Sequence, residues 1–192
     1  MKFNKQSLFF AILVIGITTV VKLICSPLLS LSGFTAVISV SLFAGLVIKD
    51  KSIAFLFPLL SLFISDVLVQ IFYKAGWFPF AGFYQDQIIN YLLFILLTGL
   101  GILLKNFRTA GMVCAIILGP VLFFFISNYL VWLTQGVQLT YSKDFNGLLA
   151  CYTAGIPFYK NSLVSTIIFL PSFMVLYQLI VNRKSFSKAI LS

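Results

Sequence analysis

The chain has 192 residues, of which 61% are hydrophobic and 9% charged, against roughly 25% charged in a soluble domain. A water-soluble fold of this length lacks the interior to hide so much apolar surface, so that class is excluded. The formal charge of +9 would suggest nucleic acid in a soluble protein. Here the basic residues sit in short connections between apolar runs, which points to orientation in a bilayer and to no nucleic-acid partner.

Six segments reach or approach the roughly 20 residues that a helix needs to cross the hydrocarbon. They fall near 7–24, 34–49, 53–73, 88–104, 110–133 and 161–181. The expected fold is therefore all-α: one polytopic membrane domain over residues 1–192 with six transmembrane helices. Lys2 and Lys5 precede the first apolar run, Leu8 to Val21, and Lys22 follows it. No small-x-small cleavage site is present, so the segment is expected to remain as a span. Pro27 and Gly33 mark the first connection, and Lys49, Asp50 and Lys51 the second. The second and fourth spans are short, so tilt or local thinning is expected there.

The third connection, "KAGWFPFAGFYQDQ", is rich in Gly, Pro and aromatic residues, and the fourth, "KNFRTAG", is short and basic. The fifth runs from Thr134 to Lys160. Within it "DFNGLLACYTAGIPF" opens on capping residues and turns apolar. It is too short to span, so a short interfacial or re-entrant helix ending near Pro157 is expected before the last span.

Both termini then lie on one side. With an internal N-terminus nine basic residues are inside, namely Lys2, Lys5, Lys49, Lys51, Lys105, Arg108, Arg183, Lys184 and Lys188. Four are outside: Lys22, Lys74, Lys143 and Lys160. The positive-inside rule favours that orientation, with both termini cytoplasmic in a bacterial inner membrane. Trp77 and Trp132 then sit toward the outer interface.

Asp66 lies inside the third span, in a chain with only four acidic residues. At about 1.5 Å per residue it is about 10 Å below the outer boundary. Asn128 falls at the same depth on the fifth span, beside Ser127. Ser39 and Ser41, Thr18 and Thr19, and Ser162, Ser165 and Thr166 occupy the outer halves of their spans, with Asn90 and Asn161 nearer the rim. The inner halves are mostly apolar. An intramembrane carboxylate is expected to face the bundle and to find a partner; Ser65, Asn128 and a hydroxyl from another span are candidates. Polar groups at one level on several helices predict a cavity open to the outer face. Its expected ligand-binding residues are Asp66, Asn128, Ser127, Ser39 and Asn90. Trp77 and Tyr84 belong to an aromatic cover, and Lys160 and Asn161 could meet an anionic group.

Enzyme chemistry is not expected. Without histidine there is no Ser–His or Cys–His dyad. Cys25, Cys114 and Cys151 are too widely spaced for a metal-ligand pattern, so no metal or cofactor is expected. Asp50, Asp86 and Asp144 lie in connections and supply no second deep carboxylate. No phosphate-binding glycine loop followed by lysine is present, so the chain carries no ATPase of its own.

The segments "SGFTAVISVSLFAGLVIKDK", "PLLSLFISD", "GPVLFFFISNYLVWL" and "GLLACYTAGIPFYKNSL" resemble an uncharacterised bacterial membrane family, known as a domain of unknown function. The resemblance covers about Phe34 to Ile168 and places Asp66, Asn128, Pro157 and Asn161 at motif positions. More loosely, that family resembles the S components of energy-coupling-factor transporters, which bind a micronutrient near the outer face. The resemblance implies a coupling subunit and ATPases as partners, besides lipid and a small-molecule ligand. S components often dock through small residues on the first helix, where this chain has only Ala11 and Gly16. The expected function is a vitamin- or micronutrient-binding membrane subunit of an uptake transporter. The alternatives are a structural membrane protein whose polar cluster packs helices, or a solitary proton-linked carrier using Asp66.

Overall fold

A computed structural model describes residues 5–84, 87–134 and 141–181. Every regular element in it is helical: α1 (Lys5–Cys25), α2 (Val37–Val47), α3 (Lys51–Lys74), α4 (Gln87–Leu104), α5 (Arg108–Thr134) and α6 (Phe145–Ile180). Short 3-10 turns at Leu29–Leu31 and Lys105–Phe107 lie in two of the connections. Five of the helices, all but α2, are long and apolar enough to cross a membrane. Their outward faces carry Leu8, Ile12, Leu56, Phe63, Leu92, Ile117 and Val175, all large, apolar and exposed. So extensive a greasy surface belongs against lipid tails.

The buried faces run at helical spacing. On α1 the stripe is Ser7, Phe10, Val14, Thr18 and Cys25, steps of three, four and seven residues. On α3 it is Ala54, Pro58, Ser61, Leu62, Ser65, Asp66 and Val69. On α4 it includes Gln87, Phe94, Leu97, Thr98 and Gly101. Small and hydroxyl-bearing residues face inward, as they do where bilayer helices gain association from close packing. Thr18 and Thr98 turn their hydroxyls onto the carbonyls four residues back, at 2.8 and 2.9 Å. A ring cluster of Phe10, Phe43, Phe173 and Tyr177 fills the core where α1, α2 and α6 meet.

The second expected span, 34–49, is only an 11-residue helix, 37–47. At about 16 Å it covers half the hydrocarbon thickness. Residues Val37 to Gly45 are all buried, because α3, α4, α5 and α6 surround α2. The helix ends at Ile48, which is extended and itself buried, the condition for non-helical chain at membrane depth. Its closest neighbour is α4. A Cβ on Gly45 would lie 2.2 Å from the Thr98 carbonyl oxygen, and one on Gly101 would lie 2.6 Å from that of Leu42. The two backbones touch because neither residue has a side chain.

The separate re-entrant helix is not present. Residues 145–180 form one continuous helix of 36 residues, about 54 Å long. The capping signal was real: Asp144 accepts from the Gly147 N–H at 2.7 Å and from the Ser142 hydroxyl at 2.6 Å. These donors, Ser142 first, hold its carboxyl below the ordinary range. Pro157 lies inside the helix, as does Pro171. In lipid, breaking a helix exposes several backbone groups, whereas an internal proline removes only one hydrogen bond, so the helix continues. The α6 helix pairs with α5. There a Cβ on Gly155 would strike the Asn128 side chain at 2.4 Å, and the Tyr152 hydroxyl donates to the Phe125 carbonyl at 2.9 Å.

Candidate ligand-binding site

The C-terminal ends of α1 and α3 meet the N-terminal ends of α2 and α4 at one end of the bundle, around a cavity of about 410 Å³. Its wall takes Lys22 and Ser26 from the end of α1, Ser32 to Thr35 from the following connection, and Asp66 from α3. Phe80 and Tyr84 come from the 75–84 segment, Gln87, Asn90 and Phe94 from α4, Phe123 from α5 and Ser162 from α6. A 390 Å³ hollow at the opposite end has Lys105 and Gln178 among mainly apolar residues, and a 290 Å³ groove between α1 and α3 is lined by aliphatic and aromatic side chains. Among these three, the first gathers several polar groups with a buried charge.

Asp66 is the electrostatic centre of the wall, with its side chain 3% exposed. Its Oδ1 accepts from the Lys22 ammonium and its Oδ2 from the Gln87 amide. The Tyr91 hydroxyl donates to Oδ2 as well, at 2.9 Å. Gln87 is fixed in turn, since its Oε1 accepts from the Tyr84 N–H at 3.4 Å. Three donors from three helical turns therefore hold one carboxylate, the condition under which a charge can be buried. Lys22 keeps 21% of its side chain exposed, with its stem along the bundle and its head at the cavity.

The cover is built close against α3. Gly82 lies so near that a Cβ there would be 2.0 Å from the Asp66 carbonyl oxygen, and the Gln70 side chain accepts from the Phe83 N–H at 3.2 Å. This brings Phe80 and Tyr84 to the cavity. Trp77 is placed elsewhere: it is 75% exposed and stacks on Phe72 outside the wall. Asn90 reaches the wall and donates to the Tyr84 hydroxyl. Gln85 and Asp86 lie outside the described residues.

The other expected residues do other work. Asn128 does not converge with Asp66. Its amide donates to the Phe124 carbonyl at 2.8 Å, its side chain fills the notch at Gly155, and its own carbonyl receives the Cys151 thiol at 3.4 Å. It is a packing residue between α5 and α6. Ser127 bonds back to the Phe124 carbonyl at 3.4 Å. Ser39 is fully buried in α2 with no hydrogen-bond partner for its hydroxyl among the described residues, and it is not in the wall. Lys160 is exposed on α6, also outside the wall.

Asn161 is a clasp. Its amide donates to the carbonyls of Ser30 and Ser32 at 2.9 and 2.8 Å, and Ser162 donates to that of Gly33 at 2.9 Å. Gly33 has φ +85, and a Cβ there would lie 2.6 Å from the Phe158 carbonyl oxygen. The α1–α2 connection, one wall of the cavity, is thereby tied to α6. We expect Asn161→Ala to cost about 1 kcal/mol by removing two hydrogen bonds to the Ser30 and Ser32 carbonyls, one exposed and one part-buried. Faster amide exchange over residues 28–36 is expected as well, and unchanged exchange there would contradict the clasp.

Sequence reasoning placed Asp66, Asn90 and Tyr84 at the wall and missed Lys22, Gln87 and Tyr91. A signal for Lys22 existed. It lies four residues beyond Thr18, on the inward stripe of α1, and so faces the bundle. Gln87 and Tyr91 share one α4 face by the same spacing.

A whole-chain assignment accompanies this geometry. The chain belongs to DUF6580, a family of unknown function, whose sequence profile matches residues 1–189. No curated protein and no solved structure matches the chain. The DUF6580 assignment agrees with the uncharacterised family that the quoted segments resemble, and it carries no link to energy-coupling-factor S components.

Proposed function

We propose that this DUF6580 protein is the small-molecule-binding membrane subunit of an uptake transporter, with its site in the outer half of the bilayer. The observation that carries the reading is the cavity itself: about 410 Å³, within the range of small-ligand sites, with a part-buried Lys22–Asp66 pair in its wall. An ionisable pair kept inside a membrane domain marks a functional site by default. Orientation rests on charge. The cavity end carries Lys22, Lys74, Lys143 and Lys160, and the other nine basic residues fall toward the opposite end or in the terminal segments. By the positive-inside rule the cavity opens outward, both termini are cytoplasmic, and the chain crosses six times with α2 as the short second crossing. Binding is the activity proposed, on the strength of the cavity and its polar wall. A coupling subunit and ATPases would supply the energy.

The second reading takes the three donors on Asp66 as a purely structural staple. Thermal unfolding of the purified protein against a broad panel of vitamins, nucleobases, amino acids and organic acids separates the two. We expect at least one class to raise the midpoint in a concentration-dependent way, as any ligand specific for the folded state must. A folded sample indifferent to the whole panel would favour the staple. A solitary proton-linked carrier would instead transport in proteoliposomes without ATPases, and Asp66→Asn would abolish that transport.

A further inference from the structure

We infer that the ligand is a small carboxylate with a flat apolar body, and that Lys22, not Asp66, is the residue that binds it. The inference rests on the binding-subunit reading and narrows its substrate class. Asp66 already receives donors from Lys22, Gln87 and Tyr91, which occupy three of the roughly four acceptor positions of a carboxylate. It has little left to offer a ligand. Lys22 is the reverse case. An ammonium carries three donors, and among the described residues its one hydrogen-bond acceptor is Asp66. Two N–H groups remain at the cavity wall.

The wall around Lys22 favours negative charge. The α2 helix begins there, with Thr35 and Val37 both in the wall. Its first intrahelical bond is Val40 to Ala36, so the Val37, Ile38 and Ser39 N–H groups have no intrahelical acceptor. Thr35 takes the first of them, at 3.3 Å. The α4 helix also begins at the wall, with Gln87 in its first turn. Two helix N-termini and an ammonium thus face the hollow. Among the described residues they oppose one carboxylate, Asp66, whose charge is spread over three bonds. Asp66 is a positioning residue that holds Lys22 in place and offsets its burial. Four phenylalanine rings, Phe34, Phe80, Phe94 and Phe123, stand in the wall beside aliphatic and hydroxyl side chains, which suits a ring.

The test uses matched acids, amides and amines: benzoate, benzamide and benzylamine, then indole-3-acetate, indole-3-acetamide and tryptamine. Thermal shift and calorimetry are run on the intact protein in detergent. We expect each acid to bind about tenfold or more tighter than its amide, the value of one charge-assisted hydrogen bond, and the amines not to bind. Lys22→Arg should keep the preference. Because Lys22→Gln alone strands Asp66, the neutral pair Lys22→Gln/Asp66→Asn is used to remove it, leaving acid and amide equal. Amides or amines that bind as well as the acids would overturn the inference while sparing the binding-subunit reading. An acid preference that survives the neutral pair would also overturn it. If none of the six binds while other members of the broad panel do, the inference fails alone; if nothing binds at all, both fail.

Discussion

Replacing Lys22 with Met is expected to cost about 3–5 kcal/mol of folding free energy, because it leaves the Asp66 carboxylate buried without its cation. Asp66 is almost wholly enclosed, with 3% of its side chain exposed. The converse change should be milder. In Asp66→Asn the Lys22 ammonium loses its partner, but it sits at the end of α1 and can move its head outward on a flexible stem. The double variant Lys22→Met/Asp66→Asn should recover most of the single-variant loss, since a neutral amide can still bond Gln87 and Tyr91. Reversible denaturant titration in mixed micelles gives the three values and hence the coupling between the sites. A Lys22→Met protein within about 1 kcal/mol of the unmodified chain would mean that the pair is not what stabilises this end of the bundle.

Gly45→Val should be the most damaging single change in the helix packing, at about 3 kcal/mol or more. The new Cβ would lie 2.2 Å from the Thr98 carbonyl oxygen and 2.7 Å from the Ile102 nitrogen. Both neighbours are backbone and cannot swing aside. Relief requires α2 and α4 to separate, and α2 is enclosed on the other sides by α3, α5 and α6. The strain would therefore spread to the cavity wall, because α2 begins there. Gly16→Ala and Gly99→Ala are the controls, for a Cβ at either position meets nothing within 4 Å. They should be neutral, or slightly stabilising through helix propensity. Thermal midpoints of the three variants decide the matter. A Gly45→Val midpoint equal to the controls would exclude backbone contact between the two helices.

These expectations draw on different levels of information. Composition alone placed the chain in a membrane and excluded a soluble fold. The connections at Lys49–Lys51, at "KNFRTAG" and at the aromatic segment were legible because charged and turn-forming residues interrupt apolar runs. The Asp144 cap was legible for the same reason. The reading of Pro157 as a stop failed because that rule comes from water, where freed backbone groups can be solvated. The second span is shorter than expected, an 11-residue helix over 37–47. Its hydropathy was right, but hydropathy does not distinguish lipid contact from burial in protein, and α2 has only the latter.

The site divides in the same way. The sequence by itself determined that a carboxylate lies within an apolar span and must find a partner, because its charge cannot be left alone in hydrocarbon. Helical spacing, a local property, also fixes which residues of α1, α3 and α4 lie on one common face, though not which face turns inward. Depth along a helix is local too, and it led to the pairing of Asp66 with Asn128. Only the tertiary structure decided that Asn128 turns toward α6 and that Lys22, Gln87 and Tyr91 converge on Asp66. The reason is geometric: equal depth fixes one coordinate of a side chain, and contact needs all three, which depend on how the helices are arranged around the buried α2.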